Sequence, residues 1–307
     1  MKASLLCLAC AGLLNQTAPA VVVFTGLSNT TAPPGQPFFG NVGSVNGASA
    51  IYLGEQWVIT AAHVAGGLPG SVTFGGTAYS TAAGSFHHLT NPVGLGLSVF
   101  TDLVAFRLAT DPGLPTLGIA AAPTTAGTPV MLVGYGGHGA ASPTFWQVTF
   151  NPGPADDVWT ELAYPDPGIN AAGFKIIGSG VKQWGINQIE TIGELVNYGA
   201  GDVVGFTTEF GNGPTNDEAQ AASGDSGGAV FRQVAGSWQL AGMMAAVGTY
   251  EKQPSAAVIG NLTYSLDLAF YRSQLIAIIP EPSAALGTAW VLGLVLLRRR
   301  RSIPAWS

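Results

Sequence analysis

Charged side chains are scarce in this chain of 307 residues: they make up 9% of it, whereas apolar residues make up 47%. Long surface helices need many lysine, glutamate and arginine residues, and a disordered chain has a far lower apolar content, so the composition disfavours both. The 43 glycines and 20 prolines are instead typical of a loop-rich β protein. The length allows one large domain or two modest ones.

Basic residues are scarcer than acidic ones, 11 against 17, and four of the 11 form the run 298–301. Residues 21–279 therefore contain six basic residues against 16 acidic ones, which gives a net charge of −10. Because such a chain has no basic patch to neutralise phosphates, the sequence excludes nucleic-acid binding.

Cysteine is almost absent, since Cys7 and Cys10 are the only two and both lie near the N-terminus. A positive start, an apolar stretch over residues 3–14 and the site Ala18-Pro19-Ala20 predict a secretory signal peptide, residues 1–20, which signal peptidase removes. The alternatives are a buried helix and a lipoprotein signal ending at Cys10. The exported chain would hold no disulfide, so its stability would come from the core alone.

The C-terminus carries Pro280-Glu281-Pro282, an apolar stretch over residues 283–297 and the arginine run 298–301. The apolar stretch is short for a bilayer span, but the arginines suit a cytoplasmic flank. In this order the three parts resemble the PEP-CTERM sorting signal of Gram-negative, biofilm-forming bacteria. The resemblance implies transient anchoring in the inner membrane, removal of the tail by an exosortase-type enzyme, and export to the cell surface or the extracellular space. The alternative is an ordinary C-terminal membrane anchor.

Short apolar runs bounded by turn residues recur between the two ends and predict strands. Many short strands at such spacing predict a sandwich or a barrel. The runs are Ala48–Leu53, Trp57–Thr60, Leu97–Phe100, Leu103–Phe106, Val130–Val133 and Ala229–Phe231.

Other segments lack that pattern. Residues 26–50 are rich in Gly, Pro, Asn, Ser and Thr and are predicted to be loop. Pro123–Gly127 is a candidate linker between two halves. A helix is predicted over Leu266–Ile278, where apolar residues fall near helical spacing.

Three segments carry residues suited to acyl-transfer chemistry. They are Thr60-Ala61-Ala62-His63, Asp102 at the head of an apolar run, and Gly224-Asp225-Ser226-Gly227-Gly228. A serine hydroxyl is a poor nucleophile at neutral pH and needs a base, and a histidine can serve when a carboxylate fixes its tautomer. Glycines around Ser226 permit a tight turn whose N–H groups can hold the oxygen that becomes negative when a carbonyl is attacked.

In this order the segments resemble those of the trypsin-like (chymotrypsin-fold) serine proteases over residues 40–278. The resemblance implies an all-β fold of two packed antiparallel Greek-key barrels with a short C-terminal helix, followed by the terminal transmembrane sorting segment. The chain would then divide into a signal peptide (1–20), a first barrel (21–125), a second barrel (126–279) and a sorting tail (280–307).

The resemblance also implies roles for individual residues. His63 would be the general base and then the general acid, Asp102 would orient His63, and Ser226 would attack the scissile carbonyl of a protein or peptide substrate. The N–H groups of Gly224 and Ser226 would form the oxyanion hole. No cofactor and no metal are implied.

The substrate pocket would have Gln220 at its floor and Ala245, Ala246 and Val247 along its wall. Without a carboxylate at the floor, a buried Lys or Arg side chain of the substrate would lack a partner. We therefore expect cleavage after small or medium uncharged residues.

Asp225 would be a buried structural support, because the resemblance implies that it pairs with a newly made N-terminal amine. Signal cleavage after Ala20 would create such an amine at Val21, 42 residues before His63. The alternative partners of this carboxylate are backbone donors or one of the basic residues Lys175, Lys182 and Arg232.

The chain also departs from the family pattern. The interval from Asp102 to Ser226 is 124 residues, longer than is usual there, and we assign the extra length to loops between Asn151 and Gln220. No Arg or Lys precedes a start of the Ile-Val-Gly-Gly type, so conventional activation by tryptic cleavage is not supported. The other histidines, His87, His88 and His138, are interpreted as loop residues.

The sequence thus predicts an exported serine endopeptidase. One alternative is a surface-anchored binding or matrix protein on a protease-like scaffold without relevant catalysis, although all three chemical residues are retained. Another is an esterase that uses the same residues. The order Ser, Asp, His of the α/β-hydrolases is absent, which argues against that fold.

Overall fold

The computed structural model describes residues 18–19, 21–24, 29–151, 156–199, 201–211 and 215–279. Within these residues, two short strands come first, β1 (Ala18–Pro19) and β2 (Val22–Val23). The predicted signal peptide otherwise lies outside the described residues, and so does the predicted sorting tail. Within the described ranges, no helix is long and apolar enough to cross a membrane.

The first half of the chain forms a ring of antiparallel strands. They are β3 (Val42–Val45), β4 (Ala48–Gly54), β5 (Trp57–Thr60), β6 (Ser71–Phe74), β7 (Thr77–Ser80), β8 (His87–Thr90) and β9 (Phe100–Arg107). Their order is β9-β5-β4-β3-β6-β7, with β8 beside β9. A bridge between Thr81 and Leu108 joins the two ends of the row. Because β6 returns to lie beside β3, the strands β3–β6 make a Greek key.

In the described part of the second half, twelve further strands follow. They are β10 (Pro129–Gly134), β11 (Gly137–Gly139), β12 (Thr144–Thr149), β13 (Val158–Leu162), β14 (Ala171–Val181), β15 (Gln183–Asn197), β16 (Asp202–Glu209), β17 (Ala219–Gln220), β18 (Ala229–Val234), β19 (Ser237–Gly248), β20 (Ala256–Val258) and β21 (Leu262–Asp267). Six of them, in the order β15-β10-β18-β19-β21-β16, form a barrel that the β15–β16 pairing closes. The predicted β-barrel architecture is confirmed.

We expected loops between Asn151 and Gln220. The structure corrects this expectation, because most of the region is strand. β14 pairs with β12, β11 and β20 in a separate small sheet, which also includes β13 and β1. β15 is 15 residues long and runs well beyond the barrel. The backbone of this glycine-rich region therefore forms its hydrogen bonds through strand pairing.

Several shorter predictions also need correction. Residues 26–50 contain a 3₁₀ turn (Phe39–Asn41), all of β3 and the start of β4. Of the run Leu97–Phe100 only Phe100 is in a strand. His87, His88 and His138 lie in β8 and β11, not in loops.

The predicted C-terminal helix is shorter than expected. Leu266 ends up in β21, a 3₁₀ turn follows over Leu268–Phe270, and the α-helix α2 covers only Arg272–Ile278. Tyr271 and Leu275 are fully buried and pack into the main core.

One continuous core joins the two barrels. Strand β4 is buried along its whole length because its two faces meet different clusters. Ile51 and Leu53 pack into the cluster that also holds Val133 and Phe231 of the second barrel, whereas Tyr52 faces a cluster inside the first. His63 and Asp102 belong to the first half of the chain and Ser226 belongs to the second.

Candidate active site

His63 lies in a single helical turn that begins immediately after a buried strand. Strand β5 ends at Thr60, and the short helix α1 spans Ala62–Ala65. Gly66 ends α1 in the left-handed conformation, with a φ of 60°, as a C-terminal glycine commonly does. The side-chain amide of Asn46 donates to the Val64 carbonyl at 3.0 Å. This turn fixes the backbone of His63, whose side chain is 31% exposed.

Asp102 lies in β9 and is fully buried. Its Oδ1 accepts the backbone N–H of His63 at 2.9 Å, and its Oδ2 lies 2.8 Å from the ring Nδ1 of His63. Tyr198 also donates its hydroxyl to Oδ2, at 2.7 Å. Because a carboxylate only accepts, Nδ1 carries the proton, and the neutral imidazole keeps a lone pair on Nε2 with which to act as a base.

Ser226 lies in a glycine turn between β17 and β18. Gly224 and Gly227 have φ values of 94° and 83°, a conformation that favours glycine. A Cβ on Gly227 would collide with Ser49 and with the hydroxyl of Thr60. Among the described residues, no hydrogen-bond partner accepts from the backbone N–H of Gly224 or Ser226, so both can donate to a substrate.

Ser49 and Thr60 connect this turn to the segment that carries His63. Thr60, three residues before His63, donates its hydroxyl to the Ser49 carbonyl at 2.7 Å. The backbone N–H of Ser49 donates to the Ser226 carbonyl at 3.0 Å, and its hydroxyl donates to the Gly224 carbonyl, also at 3.0 Å. The Ser226 hydroxyl itself donates to the Ala245 carbonyl at 3.1 Å.

A cavity of about 220 Å³ opens beside Ser226. Its lining is uncharged and consists of Ala221, Ala222, Ser223, Ser226, Met244, Ala245, Ala246 and Val247. The expected wall residues are thus at the cavity, but the expected floor residue Gln220 is not among the lining residues. Gln220 is buried in β17, which pairs with β2. The role of Gln220 as the pocket floor stays a prediction.

Asp225 is completely buried and accepts three backbone N–H groups. Gly136 donates to Oδ1 at 2.7 Å, whereas Ala222 and Val21 donate to Oδ2 at 2.8 and 3.3 Å. Burial raises the pKa of Asp225 to about 7, although these three hydrogen bonds partly oppose the rise. Val21 is fully buried and has a φ of 43°, which is strained for a β-branched residue.

The basic residues considered as partners of Asp225 make other contacts. Lys182 donates to the carbonyls of Phe39 and Val42, and its burial lowers the pKa of the ammonium to about 8. Lys175 pairs with Glu161 at 2.6 Å. Arg232 donates to two carbonyls of the segment between the barrels. Backbone donors, including that of Val21, are the partners that the structure records.

The sequence patterns do not predict the roles of Tyr198 and Ser49. A tyrosine in an Asn-Tyr-Gly turn and a serine in an apolar strand carry no local signal of their contacts, which cross 96 and 175 positions of the chain. Within the described ranges, no three or more His, Cys, Asp or Glu side chains cluster in a way that could hold a metal ion.

No model of a known protein family matches the chain, and no curated protein matches it. Among solved structures it is similar to the Rv3671c protease of M. tuberculosis in an inactive form, with 16% identity over 85% of this chain and 98% of that one and a TM-score of 0.44. Neuropsin, a serine protease expressed in the limbic system of mouse brain, has 14% identity, coverages of 82% and 98%, and a TM-score of 0.48. Human heparin binding protein has 14% identity, coverages of 82% and 96%, and a TM-score of 0.49. At these values the likeness carries no conclusion about activity.

Proposed function

We propose that this chain is an exported serine endopeptidase of the trypsin-like type. The observation that carries the proposal is the arrangement around Asp102. Its buried carboxylate holds both the backbone and the ring Nδ1 of His63, so that Nε2 is left as a base. The glycine turn of Ser226, with two N–H donors and an uncharged cavity, is tied by hydrogen bonds to the strand that precedes His63.

In the proposed reaction, the Ser226 hydroxyl turns from the Ala245 carbonyl towards His63. Its oxygen forms a bond to the scissile carbonyl carbon while its proton moves to Nε2 of His63. The N–H groups of Gly224 and Ser226 bind the resulting oxyanion. His63 then protonates the leaving amine as the C–N bond breaks, and water hydrolyses the acyl-enzyme by the same steps with His63 again as base.

The two ends of the chain give the enzyme its proposed location. Signal peptidase removes residues 1–20, and the stretch 283–297 holds the precursor in the inner membrane until an exosortase-type enzyme acts at Pro280-Glu281-Pro282. Sorting then leaves the protease at the cell surface or outside the cell. The support for this step is the order of motif, apolar stretch and arginine run in the sequence.

Mutant kinetics test the reaction. Ser226→Ala and His63→Ala should each reduce kcat/KM for peptide hydrolysis by at least about a thousandfold, and the double variant should be little worse, because the two residues act as one unit. If Ser226→Ala kept more than about a tenth of the wild-type rate, Ser226 would not be the nucleophile. Retained peptide binding without any hydrolysis by the wild type would favour the binding-protein alternative.

A further inference from the structure

Tyr198 is a second side chain on the carboxylate that holds His63. It follows β15 directly, and its hydroxyl lies 2.7 Å from Oδ2 of Asp102, the same oxygen that contacts the His63 ring. The rings of Tyr198 and His63 are 6.4 Å apart and meet edge to face at 77°. Tyr198 is half-buried against the main core, so its ring is held as well as its hydroxyl.

The turn that carries Tyr198 is fastened to the first barrel. Asp202 accepts the backbone N–H of Ser98 at 2.6 Å, and its backbone carbonyl accepts the side-chain amide of Asn91 at 3.0 Å. Asp202 also pairs in register with Thr101, the neighbour of Asp102 in β9. The extension of β15 and β16 beyond the second barrel therefore brings Tyr198 to Asp102 in a defined position.

A buried carboxylate needs hydrogen-bond donors to offset the loss of its hydration. Without Tyr198, the hydrogen bonds to the Asp102 carboxylate from the described part of the chain would reduce to those with His63. Burial and then the charge of Asp102 raise the pKa of Tyr198, so the phenol keeps its proton and stays a donor at any working pH. Three other titratable side chains belong to residues that contact Thr101, the neighbour of Asp102. The Tyr271 hydroxyl accepts from Thr101 and from the backbone N–H of Val204, Nε2 of His88 lies 2.7 Å from the Thr101 carbonyl, and Asp202 pairs with Thr101.

We propose that Tyr198 is a positioning residue for the reaction: its hydroxyl fixes the orientation of Asp102 and takes up part of its negative charge, and so sets the orientation and basicity of His63. The effect on hydrolysis rests on the proposed function. The effect on His63 itself does not, because it needs only the three side chains in contact.

The test compares Tyr198→Phe with a matched control, Tyr52→Phe. Both changes keep the ring and remove a hydroxyl that donates to a carboxylate at 2.7 Å, but the Tyr52 partner is Asp111, in the first barrel away from His63. Since a hydrogen bond to a charged group contributes more than a neutral one, Tyr198→Phe should lower kcat about tenfold with KM little changed. The acid limb of the pH–rate profile of Tyr198→Phe should move to higher pH by about half a unit or more, because Asp102 then stabilises the imidazolium of His63 more strongly.

A second measurement separates this inference from the proposed function. The imidazole of His63 can be titrated by NMR in the Ser226→Ala chain, with and without Tyr198→Phe, and no turnover is needed. We expect Tyr198→Phe to raise the titration midpoint of His63 in the Ser226→Ala chain as well. Thermal melting checks that each variant is folded. A wild type without hydrolysis would refute only the proposed function. If Tyr198→Phe matched Tyr52→Phe in rate, in pH profile and in the His63 midpoint, the positioning role would be refuted.

Discussion

Asp102 shows how a fully buried charge is accommodated by this chain. Its two oxygens accept two N–H groups of His63 and the hydroxyl of Tyr198, all within 2.9 Å. Hydrogen bonds to an ionised group are worth roughly 1.5–3 kcal/mol each, which offsets part of the several kcal/mol that desolvation costs. The same contacts that keep the carboxylate buried also orient the imidazole, so stability and the proposed chemistry depend on the same atoms.

The cavity beside Ser226 predicts the specificity. Its lining is uncharged and includes Val247. A basic substrate side chain would be buried there without a partner, whereas a small apolar one would only leave water. A peptide library should therefore show cleavage after residues such as Ala or Val, and Val247→Gly should extend the preference to larger apolar residues. A profile dominated by Lys or Arg would contradict this account.

Single residues could be predicted from the sequence only where a local motif marks them. His63 and Ser226 lie in short sequence motifs next to apolar strands. Hydrogen bonds through Ser49 and Thr60 bring the two segments together in the structure. Tyr198 was missed because its role comes from a contact across the chain. Gln220 is predicted by counting back from Ser226, and the structure places it in β17, which pairs with β2.

At the level of elements, the sequence predicts most accurately the strands that have continuous apolar runs. Trp57–Thr60 was predicted with the bounds that the structure gives. Strand β15 was missed, since its residues include glycine, glutamine, asparagine and glutamate, and only its first half shows alternating burial. Pairing partners on both sides, β10 and β16, make it a strand, and such long-range pairing leaves a weak trace in the sequence.

The short strand β2 leads to a prediction about processing. In the chain that still carries residue 20, Val21 gives Asp225 only an uncharged N–H, at the expense of a strained φ. We propose that signal cleavage after Ala20 turns this group into an ammonium that pairs with the carboxylate and also releases the strain. A chain that begins at Val21 should be fully active, and one extra N-terminal residue should reduce activity until it is trimmed. Unchanged activity would eliminate the pair.

The pH dependence of stability gives an independent test of the same pair. With a peptide bond before Val21, the pKa of Asp225 is raised to about 7, so the folded state holds this proton better than the unfolded state. The contribution of protonated Asp225 to the free energy of unfolding is complete below about pH 4 and is lost as the pH rises through 7. Melting temperatures of the extended chain should fall across this window. The chain starting at Val21 should lack the fall, because the ammonium favours the ionised carboxylate, and Asp225→Asn should abolish the fall in the extended chain.

At the scale of the whole molecule, the proposed site is assembled from both halves. His63 and Asp102 come from the first barrel, whereas Ser226 and Tyr198 come from the second. The shared core and the Ser49 contacts hold the halves together.

The proposed sorting tail leads to a prediction about the C-terminus of the released protein. If residues 280–307 are a sorting signal, the released protein should end near residue 280, because each arginine of the run 298–301 opposes transfer through the bilayer. Intact-mass measurement of protein recovered from the cell surface or the medium checks this. Arginines still present on released protein would rule out sorting by this route.

Fluorophosphonate labelling of the processed protein tests the central claim most directly, because the reagent bonds to a serine oxygen only when a base activates it. The account predicts one labelled peptide in the wild type, modified at Ser226. It also predicts no label in Ser226→Ala and a strongly slowed reaction in His63→Ala. A wild type that takes no label, or a Ser226→Ala variant that labels as fast as the wild type, would contradict it.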